Sequence, residues 1–268
     1  NQRLFMKIIV CIKQVLDTGA KIEIKGEKVV ASGSPYIINP YDEFALEEAI
    51  RIKSALPDSE VTVFSLGPES VQEALKRALA MGADHAVHIL DPLFEGLDNS
   101  LIAKILAKAI QKNSFDLVLC GRQAVDDDMA QVGPALAVLL GIPFVTIVTK
   151  IQFSENFQTA DITRQIEGGS EIQKNRSLPF LVTCQKGLNE PRFPSLKGIM
   201  AAKKKEIQKI SASDLQLDAK FLDPHNNKLQ EIKLSLPPER KKGTILEGAD
   251  EDITKKLVSI IREEEKIV

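Results

Sequence analysis

The stretch Phe115–Leu140, FDLVLCGRQAVDDDMAQVGPALAVLL, decides how the chain is read. Phe115, Leu117, Val118, Leu119 and Cys120 make a short apolar run, the pattern of a strand covered on both faces. Ala130, Ala135, Leu136, Ala137, Leu139 and Leu140 recur at mostly helical spacing. Between them lies a polar turn, Gly121, Arg122, Gln123, Ala124, Val125, Asp126, Asp127 and Asp128. A strand that stops in a polar turn and enters a helix sets that turn at the carboxyl edge of a parallel sheet, where open α/β sheets bind ligands. The helix start adds free N–H groups and a positive dipole end suited to an anion.

Working outward, the same alternation recurs upstream. Lys7–Lys13 reads as a buried first strand, and Ile22–Val30 as an exposed hairpin turning at Lys25–Lys28. Pro40 suits a first helical turn before Phe44–Leu56, with Asn39 available as its cap. Val61–Leu66 is a second strand, followed by a helix over Val71–Gly82 in which Gly82 is the stop. Ala86–Leu90 is a third strand, Asn99–Lys112 an amphipathic helix, and Phe144–Thr149 a fifth β run after the opening stretch. Strand and helix alternating over short connections predict a doubly wound parallel sheet with right-handed crossovers.

Downstream the pattern changes. Phe153–Phe157, Ala160–Ile166 and Ser170–Gln173 read as a small antiparallel addition turning at Gly168-Gly169, and Leu181–Cys184 as a strand returning to the main sheet as a late edge. From Lys186 periodicity fades into Pro, Gly and Lys, and Asp214–Thr244 reads as an extended arm lying on a partner surface. Helical spacing returns over Ala249–Val268. The expected organisation is a nucleotide-binding α/β domain over 6–186 and a recognition loop with a C-terminal arm over 187–268. Residues 1–5 precede Met6, which reads as a native start, so they are taken as an appended remnant or an extended start.

Bulk properties narrow the function. A net charge of −2 gives no global field for nucleic acid or membrane, and no apolar run reaches a membrane span. Cys11, Cys120 and Cys184 lie far apart in apolar runs, as buried free thiols of a reducing compartment do. The expected location is cytoplasmic, or the mitochondrial matrix in a eukaryote.

The candidate chemistry sits in the opening turn. Asp126, Asp127 and Asp128 admit three roles: a metal cluster, a hydroxyl-binding group, or caps of the following helix. Gln123 and Gln131 suit an adenine edge or phosphate oxygens. Backbone amides around Gln131, Val132 and Gly133 form an anion cradle, with Gly133 allowing close approach of a phosphate. If the first and fourth strands are neighbours, Cys11, Asn39 and Gln123 converge on one crevice. No G-x-G-x-x-G follows the first strand, and no G-x-x-x-x-G-K-[ST] is present. His85, His88 and His225 belong to no catalytic pattern, and Lys203–Lys205 reads as a solvated patch or partner contact.

Longer motifs carry a resemblance. QAVDDDMAQVGPALA at Gln123–Ala137 and LNEPRFPSLKGIMAAKKKEI at Leu188–Ile207 closely resemble the electron-transfer flavoprotein β subunit. VCIKQVLDTGAK, INPYDEFALEEAIR and ALAMGADHAVHI agree with it in the same order. The resemblance implies an adenine-nucleotide α-hydrolase-like fold and a non-enzymatic electron carrier. It implies a heterodimer with an α subunit that holds most of a redox-active FAD and is wrapped by this chain's arm. Electrons would pass from acyl-CoA dehydrogenases to a membrane quinone reductase. It also implies one structural AMP in this chain. Carried over by position, its contacts are Cys11, Asn39, Pro40, Tyr41, Asp42, Leu66, Gln123, Ala124, Val125, Asp126, Asp127, Asp128, Met129, Ala130, Gln131, Val132, Gly133 and Pro134. Leu196 would be the anchor entering a partner dehydrogenase.

Three positions depart from the family pattern. Ala130 through Pro134 read Ala-Gln-Val-Gly-Pro where many members have Asn-Gln-Thr-Gly-Gln, which resembles an electron-bifurcating branch with a second FAD in place of AMP and NADH as donor. Asp127 stands where that branch has glycine, and its side chain would crowd a larger ligand, which favours AMP. Thr18 replaces a tyrosine beside the flavin. A further alternative, an ATP-hydrolysing or nucleotide-sensing domain of the same fold, needs a Ser-Gly-Gly phosphate loop where this chain has Gln14-Val15-Leu16-Asp17.

Overall fold

The computed structural model describes residues 5–26, 28–31, 33, 36–236, 238 and 243–264. In chain order the first half holds β1 (Lys7–Cys11), β2 (Gln14–Leu16), β3 (Ile22–Lys25), β4 (Lys28–Ala31), β5 (Tyr36–Ile38), α1 (Pro40–Ala55), β6 (Glu60–Leu66), α2 (Val71–Met81), β7 (His85–Ile89), α3 (Asn99–Ile110), β8 (Leu117–Gly121) and α4 (Val132–Leu140). The second half holds β9 (Phe144–Phe153), β10 (Thr159–Ile166), β11 (Gly169–Ser177), β12 (Phe180–Cys184), α5 (Leu196–Ala202), β13 (Ile207–Ile210) and α6 (Asp250–Ser259).

Nine strands form one sheet in the order β11-β10-β9-β12-β8-β1-β6-β7-β13. Neighbours from β9 to β13 run parallel, and β10 pairs antiparallel with both β9 and β11. Alternation sorts the strand residues onto two faces. Ile8, Val10, Val63, Leu119 and Val182 pack with Leu46 of α1 and Leu75 of α2. Ile9, Phe64, Val118 and Leu181 pack with Ile105 of α3 and Leu136 of α4. Helices thus cover both faces, as the doubly wound reading requires. The chain fills the sheet outward from β1 through β6 and β7, then crosses to β8 on the other side. The switch point lies between β1 and β8. Two small antiparallel pairs, β2 with β5 and β3 with β4, stand beside the sheet.

Several local expectations are corrected. β12 is no edge: it lies between β9 and β8 with all five residues buried. Its continuous apolar run FLVTC is what burial on both faces demands. Residues 154–158 turn rather than extend, with the rings of Phe153 and Phe157 stacked at 5.6 Å. The following turn is Glu167-Gly168, and Gly169 already belongs to β11.

The body also runs well past residue 186. β13 adds a ninth strand beside β7, and Ile210, Ala212, Leu215, Leu217 and Leu222 enter the core on the α3 side. The exposed arm therefore starts later than its loss of periodicity suggests, and α6 buries none of its residues. Residues 1–4, the hairpin residue Glu27, part of the arm at 237 and 239–242, and the end of the expected last helix at 265–268 lie outside the described residues.

Candidate nucleotide-binding site

The crevice at the switch point is built from chain ends held by buried polar side chains. Asp42, in the first turn of α1, accepts hydrogen bonds from the Lys13 N–H at 2.7 Å and the Gly121 N–H at 2.9 Å. One carboxylate thus ties the end of β1 to the end of β8. Burial strips it of water and pushes its pKa from 3.8 to about 7, against the opposing pull of those N–H groups. The position facing it must be glycine: a Cβ on Gly121 would lie 2.2 Å from Asp42 Oδ1.

The sequence offers Asn39 as the cap of α1, but its side chain makes no cap bond. Its Nδ2 donates to the Gln123 carbonyl at 2.8 Å, and its Oδ1 accepts from the Val125 N–H at 3.1 Å. A fully buried amide with both ends engaged is more valuable pinning the turn than capping a helix that water can reach.

The aspartates are not helix caps either. α4 begins only at Val132, and neither Asp126, Asp127 nor Asp128 lies in it. Lys13 Nζ sits 2.8 Å from Asp126 Oδ1 and 3.1 Å from Asp127 Oδ2. Burial opposes the Lys13 charge, but its hydrogen bond with Asp126 and the nearby carboxylates outweigh it and raise the pKa. Burial likewise opposes the Asp127 charge, while the Met129 N–H at 3.0 Å, Lys13 and Asn99 hold it below the usual range. Asp128 accepts from Gln123 Nε2 at 2.5 Å. Among the described residues no cluster of three or more acidic, His or Cys side chains is placed to hold a metal.

Asp128 (φ 51°) and Ala130 (φ 53°) are left-handed, so the helical reading of Ala130 is corrected. For a residue with a Cβ this costs about 1–2 kcal/mol. The two left-handed steps bend the chain back before it enters α4. No side chain caps that helix start. Its first-turn amides are the feature that favours an anion, and Pro134 supplies none of them. The reason for glycine at 133 is packing: a Cβ there would meet Thr183 Cγ2 at 2.6 Å.

The resulting cleft has a cavity volume of about 120 Å³ and opens to solvent. It is lined by the expected Cys11, Asn39, Asp42, Leu66, Gln123, Ala124, Asp127, Ala130, Gln131, Val132 and Gly133. Pro40, Tyr41, Val125, Asp126, Asp128, Met129 and Pro134 are close in sequence but are not part of its lining. Residues that line it outside the expected contact set are Ile12, Lys13, Asn99, Ile102, Leu106 and Cys120, together with Gly121 and Arg122 from the start of the polar turn. Ile102 and Leu106 lie four apart on α3 and give the cleft an apolar wall; that spacing is visible in the sequence, but its direction is not.

A second feature stands apart from the cleft. Leu196, at the start of α5, is 78% exposed, and Phe193 beside it 85%. Ile199 and Met200 extend the apolar patch. Ser195 Oγ caps α5 by accepting the Gly198 N–H at 3.0 Å. Gly198 packs so closely on α2 that a Cβ would lie 2.2 Å from the Ala80 carbonyl oxygen. The root of this loop is clamped to α1. Arg192 donates to both carboxylate oxygens of buried Glu47 at 2.8 Å, and Asn189 Nδ2 donates to Glu48 at 2.9 Å and to the Phe44 carbonyl at 3.0 Å. α1 therefore carries Asp42 to the cleft at one end and holds the exposed loop along its length.

The remaining motifs are structural. His88 is buried with Nε2 2.9 Å from the Gly67 carbonyl, while His85 is exposed at the start of β7. Where a phosphate loop would follow β1, Gln14–Leu16 pairs with β5 instead. No helix among the described residues is long and apolar enough to cross a membrane.

A family model described as the electron transfer flavoprotein domain matches residues 27–215. The chain is 42% identical over 265 residues to an electron transfer flavoprotein subunit beta of Bacillus subtilis (strain 168), covering 98% of this chain and 100% of that one. It is 38% identical over 261 residues to the subunit of Bos taurus, covering 96% and 98%. It is 38% identical over 253 residues to the mitochondrial subunit of Arabidopsis thaliana, covering 93% and 97%.

Proposed function

The chain belongs to the electron transfer flavoprotein family, as a β subunit that pairs with an α subunit, and from that premise we propose that it is a carrier subunit holding AMP in the cleft between β1 and β8. The observation that supports a holding role is how the polar side chains around the cleft are engaged. Asp42, Asn39, Asp126, Asp127 and Asp128 are each bonded to the protein itself. Each is occupied in tying the strand ends and the turn together, which is work of support for a bound group.

The residues suit an adenine nucleotide. Leu66, Ile102, Leu106 and Val132 offer apolar surface to a base, and the uncapped start of α4 offers N–H groups to a phosphate. Lys13 is already neutralised by two carboxylates, so the phosphate would rely on backbone donors and on Arg122, which also lines the cleft. A redox-active FAD would be held mainly by the α subunit, and when bound it supplies the electron chemistry. This chain positions and docks. Leu196, Phe193, Ile199 and Met200 form the apolar patch that would meet an acyl-CoA dehydrogenase, with electrons leaving to a membrane quinone reductase. The Glu47–Arg192 and Glu48–Asn189 contacts would keep that patch raised and pre-ordered, which lowers the entropy cost of docking.

A second reading, a second FAD in this chain with NADH as donor, is favoured by one observation. A neighbouring cavity, lined by Gly96, Met129, His225 and Leu229 among others, shares Asn99 and Asp127 with the cleft. The second space adjoins the first and gives a ligand larger than AMP room to extend, past the Asp127 side chain that stands at the join.

The carrier reading is tested by mixing the purified heterodimer with a reduced acyl-CoA dehydrogenase and following bleaching of the heterodimer flavin. Rapid reduction by the dehydrogenase, with none by NADH, is expected. Reduction by NADH alone overturns this reading in favour of the second.

A further inference from the structure

We propose that Cys11 and Cys120 form a dithiol site in the floor of the cleft, able to bind one thiophilic bridging ligand such as a trivalent arsenical. The two residues are direct partners on adjacent parallel strands, Cys11 opposite Cys120. Both belong to the same face of the sheet, among the core residues under α3 and α4. Adjacent strands run about 4.8 Å apart, so side chains in register on one face lie side by side. Both line the cleft, with 8% and 5% of their surfaces exposed. Cys184 is the internal contrast: it packs on the opposite face, is fully buried, and is not part of the cleft lining.

This geometry favours bridging over direct coupling. A disulfide draws the two Cβ atoms to about 3.8 Å, closer than side-by-side parallel strands hold them. An atom inserted between the sulfurs removes that demand. The neighbouring Cys11 thiol and burial keep the Cys120 thiol protonated well above its usual range, so it is a poor nucleophile toward a reagent that takes one sulfur. A reagent that takes both gains from the second bond without a further loss of freedom. With an aryl arsenoxide the step balances without any change of oxidation state. Two As–S bonds replace the As–O double bond and two S–H bonds, and the oxygen leaves as water carrying both thiol protons. The site shares the cleft with the proposed nucleotide but does not depend on which nucleotide binds there.

The test uses the heterodimer with its cleft emptied by mild chaotrope and dialysis, treated with phenylarsine oxide under native conditions. Mass spectrometry of the intact chain and peptide mapping after N-ethylmaleimide follow. One arsenical per chain is expected, with Cys11 and Cys120 both protected from alkylation and the adduct reversed by a small dithiol. Cys11→Ala and Cys120→Ala should each lose the adduct, whereas Cys184→Ala should keep it. The wild-type peptide map carries the test even if a variant folds poorly. An unmodified wild-type chain, or an adduct that persists in Cys11→Ala or Cys120→Ala, overturns the proposal.

Discussion

Replacing Asp42 by asparagine should change how stability depends on pH. The Asp42 carboxyl is wholly buried and titrates at about 7 in the folded chain against 3.8 for an exposed carboxyl. Between those values the folded chain holds a proton on Asp42 that the unfolded chain has released. Stability from this group is therefore greatest below about pH 4 and falls as pH rises through 7. The full difference corresponds to at most about 4 kcal/mol, and about 2.5 kcal/mol of it falls between pH 5 and 8. The asparagine side chain cannot titrate. It accepts one of the two N–H bonds from Lys13 and Gly121 but turns an NH₂ toward the other, at a cost of about 1–3 kcal/mol at any pH. The assay is urea unfolding of the heterodimer at fixed concentration, followed by circular dichroism at pH 5 and pH 8. The stability of wild type relative to Asp42→Asn should drop by about 2.5 kcal/mol over that range. Parallel pH dependence in the two proteins would refute the claim that a buried, proton-binding Asp42 clamps the switch point.

Three other perturbations probe separate parts of the account. Leu196→Ala should weaken docking to an acyl-CoA dehydrogenase by about 2 kcal/mol, roughly 30-fold, without loss of flavin; unchanged reduction kinetics would remove the anchor role. Arg192→Ala leaves Glu47 buried without its partner, and since Arg192 itself is partly exposed the expected loss is about 2 kcal/mol in thermal unfolding. Glu47→Gln alongside it should recover part of that loss if the unpaired charge is the cause. Gly121→Ala should displace Asp42 and release the proposed nucleotide on gel filtration, since the added methyl has nowhere to go; full nucleotide retention would contradict the clamp.

What can be read from the sequence follows from how local each interaction is. The β1–β8 crevice is legible because strand–helix alternation with short connections leaves few topologies, and these bring Cys11, Asn39 and Gln123 together. The exposed Leu196 is legible only through a motif. The roles within the turn are not legible. An Asp-rich segment before an apolar helix looks like a set of caps, and only Lys13, distant in sequence, turns two of those carboxylates away from the helix. Asn39 misleads for the same reason, since its partners are the Gln123 and Val125 backbone groups. β12 looks like an edge because strand order depends on pairings that no local pattern encodes. β13 is hidden because the four residues IQKI alternate too briefly to stand out beside a lysine-rich run.

The central claim is that the β1–β8 cleft holds a structural nucleotide while the redox flavin belongs to the partner subunit. Mass spectrometry of the nucleotides released when the purified heterodimer is denatured tests it most directly. The account predicts one AMP and one FAD per heterodimer; two FAD and no AMP would contradict it.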